Sequence, residues 1–398
     1  MPLPRPVIVS FARTAIAPFN GSLSSISAPA LASSTISHQL ASLSSTSTFK
    51  ASDIVDVTLG NVVSAGVGQA PARQAWKGAG GQDEAQCTTV NKVCASGMKA
   101  AMYACQNIML GSGPQLAGGF ESMSNIPHYL PALRTGVKLG PSTLLDGVVH
   151  DGLWDVYNNQ HMGMCGEKCA EDYGITREDQ DNFAIESYRR ANEAIEKGLF
   201  KGEIAPVEVK TRKGVNVVDS DDEPGNFDVS KMTKLRPAFK RDESGTVTAA
   251  NASSLNDGAA SMVIMSEEQA AAFGLKPIAR VLGFADAEQA PEDFTTAPAL
   301  AAPRAIANAG LTLSDIDYHE INEAFSVVAL ANMQLMNLDS SKVNVNGGAV
   351  ALGHPIGCSG ARIIGTLISV LNQNNAQYGC ASICNGGGGA SAFVIEKM

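Results

Sequence analysis

The sequence predicts an α/β layered fold built from two similar halves. Three observations point to it: an alternation of strand-like and helix-like patterns, a long-range repeat, and a change of composition between the repeats. Short apolar runs alternate with helical patterns, as in layered α/β chains. Val7-Ile8-Val9-Ser10, Val55-Asp56-Val57-Thr58-Leu59-Gly60 and Thr88-Thr89-Val90 read as strands. Met98, Ala101, Met102, Cys105, Ile108 and Met109 follow the helical period. Leu116-Ala117-Gly118-Gly119 reads as a strand end. The scheme then recurs. Ser52-Asp53-Ile54 and Ser314-Asp315-Ile316 lie 262 residues apart. The helix after Cys94 has a counterpart starting near Ser359-Gly360-Ala361, and both halves close on a glycine-rich strand end, Ala117-Gly118-Gly119 and Asn385-Gly386-Gly387. Between the halves, over roughly 124–252, charge becomes dense, from Arg177 to Arg190 and from Arg212 to Arg241. That stretch, with its acidic cluster Asp219–Glu223, reads as an inserted surface excursion. The chain thus divides into a first half, an insertion over roughly 124–252 and a second half.

Composition narrows the functional classes. The chain has 398 residues, 44% hydrophobic and 17% charged, enough to bury a large core. A formal net charge of -10 without a long basic run argues against nucleic acid as a partner. No apolar stretch has the length of a membrane span. The glycines cluster beside polar residues, which suggests close backbone approaches. Eight cysteines in a long chain without a signal peptide fit a reduced, cytosolic setting. The first strand-like run begins too early to leave room for a transit peptide. The terminal Ile395-Glu396-Lys397-Met398 is not a peroxisomal signal.

Four segments carry candidate chemistry. In Asn91-Lys92-Val93-Cys94-Ala95-Ser96-Gly97-Met98 a cysteine stands between a strand and a helix start. A helix N-terminus favours the thiolate and predicts a pKa below the usual value of about 8.5. A buried structural cysteine is the alternative, and the commoner one. In Gly347–Gly357 a histidine, His354, fixed between glycines and a proline, is available as a general base for a thiol, although a lone histidine is more often structural. Cys384-Asn385-Gly386-Gly387-Gly388-Gly389 offers bare backbone N–H groups for an oxyanion hole, or is a flexible loop. In His319-Glu320-Ile321-Asn322-Glu323-Ala324-Phe325 polar groups follow a strand-like run, and Asn322 could equally cap a helix. The pairs Cys165/Cys169 and Cys380/Cys384 have ligand spacing for a helix turn, but the two-residue spacing of structural zinc sites is missing.

Taken in order, these segments resemble the thiolase family over almost the whole chain. The matching pieces are Val90–Gly97, Gly118–Ser124, His161-Met162-Gly163, Gly245–Ser253, Asn322-Glu323-Ala324-Phe325, Gly353-His354-Pro355 and Cys384-x-Gly386. The resemblance implies an α-β-α-β-α five-layer sandwich, with a first half over 1–123 completed by about 253–273, an inserted loop domain over 124–252 that carries coenzyme A, a second half over 274–398, and a homotetramer built from dimers. It implies acyl transfer without an organic cofactor: two acetyl-CoA condense to acetoacetyl-CoA, or the reverse, at the start of mevalonate synthesis. Cys94 would carry the acetyl group, His354 would take the thiol proton, and Cys384 would deprotonate the second acetyl-CoA. Asn322, through a water, and Gly386 would serve two oxyanion holes. Tyr188, Lys231, Ser253, His161, Met162 and Phe325 would contact coenzyme A or the acyl group. Lys231 belongs to the densest basic stretch, with Lys234, Arg236, Lys240 and Arg241. The departures are few: Ala95 and Ala250 stand where many relatives have glycine. Ala249-Ala250-Asn251-Ala252 with Tyr188 and Val350 is similar to a potassium-binding subgroup, with Tyr188, Ala249, Ala250, Ala252 and Val350 as ligands. A degradative relative acting on longer chains is the alternative. A ketosynthase-like enzyme is disfavoured because Asn322 stands where those usually carry histidine. A catalytically dead relative would lack one of Cys94, His354 and Cys384.

Overall fold

The computed structural model describes residues 3–226, 228–232 and 234–398. The first half runs β1 (Pro6–Arg13), α1 (Ala28–Thr46), β2 (Asp56–Gly60), α2 (Pro71–Gly78), β3 (Gln86–Val90), α3 (Ser96–Met109) and β4 (Gln115–Ser122). Helices α4 (Met162–Tyr173) and α5 (Arg177–Glu196) follow, and the half closes with β5 (Asn256–Ser266). The second half runs β6 (Ala279–Glu288), α6 (Pro298–Asn308), β7 (Tyr318–Ile321), α7 (Ser326–Met336), the short α8 (Ala349–Leu352), α9 (Ser359–Gln373), β8 (Tyr378–Asn385) and β9 (Gly389–Lys397).

The strands lie in the order β7-β8-β9-β6-β1-β5-β4-β2-β3 in one ten-stranded sheet, whose remaining strand is the pair Ala17–Pro18 on β5. The order is a duplication read outwards from the centre. β6, β9, β8 and β7 repeat β1, β5, β4 and β2, with the same parallel and antiparallel partners. A parallel bridge from His319 to Val343 stands where β3 would recur. The halves join through two residue pairs, Val7 with Arg280 and Ile8 with Ala279. The short motif of the sequence repeat has a structural reason. Asp53 and Asp315 each accept the N–H of a residue three positions back, Lys50 and Thr312, both at 2.7 Å, closing a turn before β2 and β7.

Five layers result. α1 and α2 cover one sheet face, α6 covers the far face, and α3 and α9 pack on each other between the halves. That middle layer is tight. A Cβ on Gly97 would come 2.9 Å from the Ala361 nitrogen, and one on Gly360 would come 2.6 Å from the Met98 nitrogen. Every residue of β4 and β5 is buried. Helices on both faces explain why the middles of these strands, Leu116–Phe120 and Gly258–Met265, read as apolar and small-residue runs without polar alternation.

Residues 124–252 add no strand to the large sheet among the described residues; they form three two-stranded ribbons and helices. The acidic cluster is not all surface. Asp221 is buried and accepts both terminal nitrogens of the buried Arg13, at 2.7 and 2.9 Å. An acidic run predicts solvent, but one carboxylate is drawn inward by the buried Arg13, which neutralises it, an unpaired buried charge being costly. Cys380 and Cys384 lie on a strand rather than a helix, so although they share a face they stand about 13 Å apart, too far to hold one ion.

Candidate active site

Cys94 sits in the turn between β3 and α3. The turn is strained, because Val93 adopts φ 47°, which a β-branched residue rarely does. Local bonds hold it: the Val93 N–H donates to Asn91 Oδ1 at 2.9 Å, and Ser96 Oγ donates to the Val93 carbonyl at 2.6 Å. Cys94 is nearly buried, and burial pushes its thiol up to about 11. The N–H groups of Gly386 and of Cys94 itself point at the sulfur and oppose that shift. The expectation of a depressed pKa is therefore corrected: the two N–H groups act in the right direction, but desolvation outweighs them.

His354 follows Gly353, whose φ of 102° and close approach to Asn256 exclude a side chain. The His354 N–H donates to Asn256 Oδ1 at 2.8 Å. Its Nδ1 lies 2.6 Å from Ser359 Oγ, and that hydroxyl donates to the Pro355 carbonyl at 3.1 Å. With the Ser359 proton so used, Nδ1 carries the hydrogen and Nε2 keeps its lone pair. Nε2 faces the Asn322 amide nitrogen at 3.5 Å. Burial, then the nearby Arg362, pushes the imidazole down to about 3, so it rests as a neutral base.

Cys384 ends β8 and is fully buried. Burial, then the charge on Cys94, raises its thiol well above the ordinary value, so the two sulfurs sense each other. Asn322 lies just past β7, its N–H bonded to the Ser382 carbonyl at 2.9 Å. It does not cap the next helix, which begins at Ser326 with Phe325 at the cap. Asn322 Oδ1 is buried without a protein partner among the described residues. Gly386 borders the cavity. A Cβ there would meet only ordinary contacts, the nearest at 3.6 Å, so protein neighbours do not demand glycine at this position.

Cys94, His354 and Gly386 meet in a cavity of about 290 Å³, walled by His161, Met162, Phe325, Ala252, Ser253 and Phe239. His161 Nδ1 accepts the Gly163 N–H at 3.1 Å, which leaves Nε2–H as a donor, and its ring stacks on Phe239 at 4.6 Å. Ser253 donates its hydroxyl to the Ala324 carbonyl at 2.9 Å. Lys231 is absent from this wall; it is exposed and pairs with Asp228 at 3.1 Å. Tyr188, Val350 and Ala250 come together in a separate buried cluster.

Sequence reasoning passed over two carboxylates that fasten the loops. Glu121 accepts from the Asn61 amide and from the N–H groups of Val62, Val63 and Gly357, at 2.8 to 3.2 Å. Against those donors, burial raises it to about 7. Glu323 accepts from Ser187 Oγ at 2.8 Å, the Asn344 amide at 2.7 Å and the Val350 N–H at 3.1 Å. The usable signal was an acid directly after a predicted buried strand, where it needs donors.

The family descriptions "Thiolase, N-terminal domain" and "Thiolase, C-terminal domain" match residues 6–268 and 275–397. Acetyl-CoA acetyltransferase 1 of Arabidopsis thaliana is 55% identical over 99% of this chain and 95% of its own. The cytosolic acetyl-CoA acetyltransferase ERG10 of Gibberella zeae is 54% identical over 100% of this chain and 99% of its own. The crystal structure of the Acat5 thiolase of Ascaris suum in complex with coenzyme A matches with a TM-score of 0.93 and 44% identity, over 99% of this chain and 100% of that one.

Proposed function

The chain belongs to the thiolase family, and on that premise we propose that it is an acetyl-CoA acetyltransferase, condensing two acetyl-CoA to acetoacetyl-CoA and coenzyme A and running the reverse thiolysis. The observation that carries the reading is the meeting of a thiol, a neutral imidazole with a free Nε2 and two N–H groups aimed at the sulfur, in one cavity. The Cys94 sulfur attacks the thioester carbonyl while His354 Nε2 accepts the thiol proton, which it returns to the departing coenzyme A sulfur. The Gly386 and Cys94 N–H groups hold the developing oxyanion. Cys384 then passes its thiol proton to His354 Nε2 and, as the thiolate, removes a proton from the methyl of the second acetyl-CoA. The enolate oxygen is held by the resulting His354 Nε2–H and a water on Asn322; His354 returns its proton to the Cys94 thiolate as that leaves. Attack of that carbon on the acetyl-enzyme releases Cys94. Acetylation supports the second stage: an acetylated Cys94 cannot ionise, so no thiolate beside Cys384 opposes its ionisation.

His161, Met162, Phe325 and Phe239 close the wall at short range, which favours acetyl and acetoacetyl groups over long chains. Ser253 and the wall contributed by residues 124–252 are the proposed coenzyme contacts. A cytosolic setting, where condensation would feed mevalonate synthesis, is supported by the Gibberella zeae relative. No helix among the described residues is long and apolar enough to cross a membrane. A homotetramer is proposed from the exposed surfaces discussed below.

A potassium ion fits the residues suggested for it. Among the described residues the carbonyls of Ala249, Ala250 and Ala252 accept no hydrogen bond. The Val350 carbonyl is spared because the His354 N–H donates to Asn256 instead. Among the described residues a buried oxygen of Glu223 lacks a partner, and the charge of Glu223 reaches Tyr188. These carbonyls with the Tyr188 hydroxyl would hold the ion, which would supply a fixed positive charge between the 249–252 turn and α8.

One assay tests both claims: thiolysis of acetoacetyl-CoA against a long-chain 3-ketoacyl-CoA, each in potassium and in sodium at equal ionic strength. Acetoacetyl-CoA should be cleaved at least about tenfold faster, the scale of a few methylenes in a pocket, and faster in potassium. Preference for the long chain would replace the reading with the degradative one. Equal rates in both salts would remove the ion.

A further inference from the structure

We infer that Lys92 is a positioning residue that clamps the nucleophile turn of one half onto the Cys384 hairpin of the other, and so sets where the Gly386 N–H stands relative to the Cys94 sulfur. The inference rests on the acyl-transfer reading above and adds to it a residue that touches neither substrate nor sulfur. Lys92 lies two residues before Cys94, immediately before the strained Val93. Its side chain reaches across the seam between the halves. Nζ donates to Asn385 Oδ1 at 3.1 Å, to Glu288 Oε1 at 3.1 Å and to the Ala390 carbonyl at 3.4 Å. It also stands 3.4 Å from Asp286 Oδ1. All four partners belong to the β8–β9 hairpin or to β6, and none to the half that carries Cys94.

The chain of contacts continues to the oxyanion site. The amide of Asn385, fixed by Lys92 on its oxygen, donates through its nitrogen to the Gly386 carbonyl at 2.9 Å. Lys92 therefore restrains both sides of Gly386: the side chain before it and, through that side chain, the carbonyl after it. The cluster is built into the fold. A Cβ on Gly389 would come 2.6 Å from both Glu288 Oε2 and Asn385 Nδ2, so that glycine leaves room for them. Lys99, one turn into α3, adds a second strap to Asp286 at 2.6 Å, and Ser391 donates to the same carboxylate at 2.6 Å. A left-handed β-branched residue persists only where its surroundings over-determine it. Asn91 supplies the local half of that determination and Lys92 the part that couples it to the hairpin. The ion pairs are partly exposed, so their contribution to folding is small. Their effect belongs in the geometry of the two loops.

Two readouts test this on the full-length enzyme with Lys92→Met, Lys92→Arg and Asn385→Asp. One is the single-turnover acetylation of Cys94 by acetyl-CoA. The other is alkylation of Cys94 by iodoacetamide from about pH 7 to about pH 10, read by peptide mass spectrometry. Lys92→Met should slow acetylation about 10–100-fold, part of the cost of losing an oxyanion donor, with KM changed by less than about threefold. It should also move the alkylation profile to higher pH, because the Gly386 N–H no longer stabilises the thiolate. Lys92→Arg should restore both, its guanidinium reaching the same acceptors. Asn385→Asp keeps an acceptor for Lys92 but loses the donor to Gly386, and should shift both readouts the same way by less. Wild-type acetylation and an unmoved alkylation profile in folded Lys92→Met would overturn the proposal. So would losses that merely track the unfolded fraction. If Lys92→Met does not fold, an unmoved profile in Asn385→Asp overturns it. Failure of the wild-type enzyme to acetylate would count against the acyl-transfer reading instead, and the alkylation profiles would still decide the clamp.

Discussion

At the scale of single residues, the site is held at rest in neutral form. Cys94 is pushed up to about 11 by burial and His354 down to about 3 by the same cause. A thiol and an imidazole so displaced do not form an ion pair in the empty cavity. Proton transfer then waits for a thioester carbonyl, whose oxyanion gives the N–H groups a charge to hold. The sign of the consequence is definite. Because the thiol pKa is raised, the thiolate fraction at neutral pH is small and grows with pH. Alkylation of Cys94 in the substrate-free enzyme should climb about tenfold per pH unit from about pH 7 to about pH 9, without a plateau. A flat profile there would mean a preformed thiolate. The two cysteines should separate by stage in the same preparation. Cys94→Ala should take up no acetyl group from acetyl-CoA. Cys384→Ala should still be acetylated at Cys94, while condensation falls about 10²–10⁴-fold, the range of a lost proton-transfer group. Normal condensation by Cys384→Ala would remove it from the role of base.

At the scale of elements, side chains from distant segments fasten the loops that carry these groups. The buried pair Arg13–Asp221 joins the end of β1 to the loop after residue 218, and Asp221 Oδ1 also accepts the Ile16 N–H at 2.8 Å. Asp221→Asn leaves Arg13 buried with, among the described residues, only Glu203, at 3.5 Å, to answer its charge. It should cost about 3–5 kcal/mol in denaturant unfolding at fixed protein concentration. Asp219→Asn, at an exposed position, should stay within about 0.5 kcal/mol. Equal effects would mean that Asp221 is solvated in solution. This pair also marks what could be read beforehand. Strands β1 to β4, the central helix α3 and the duplication were legible because each leaves a local pattern, apolar runs, a helical period and a repeated Ser-Asp-Ile turn, whereas β5, β6 and β9 were not read. Cys94, His354 and Cys384 were legible because each stands at a strand end or among glycines. Asp221, Glu121, Glu323 and Lys92 were not, because their partners lie far along the chain and only the fold brings them together. The direction of the Cys94 shift was misread for a related reason: a helix start is visible in sequence, whereas the depth of burial that outweighs it is set by three other segments.

At the scale of the whole molecule, two surfaces remain that a lone chain does not explain. The first is β3, the outermost strand of the ten-stranded sheet, hydrogen-bonded on one side only, to β2. An open strand edge invites pairing with another chain, and here it directly precedes the turn that holds Cys94. The second is the stretch 131–144, in which every residue is exposed. It includes Leu133, Val137, Leu139 and Leu144, and Leu139 has no neighbour shielding it. Apolar side chains gathered on one exposed excursion mark an association surface. Both surfaces belong to every copy, so each can meet itself across a two-fold axis. Two independent two-fold contacts generate a dimer of dimers. The wild-type protein should therefore run in light scattering near four times its 41.3 kDa chain mass. Leu133→Asp with Leu139→Asp should stop assembly at twice that mass and leave the strand-edge contact intact. A wild-type monomer at about micromolar concentration, where obligate assemblies hold together, would refute both surfaces. A tetramer that survives the double substitution would refute the second. The site gives the distinction a functional reading, because residues 149–153, just after the excursion, supply cavity wall through Val149, Gly152 and Leu153. If the excursion is ordered only in the tetramer, the dimeric variant should show a raised KM for acetyl-CoA with Cys94 alkylation unchanged, since the nucleophile turn rests on the seam between the halves and not on this wall.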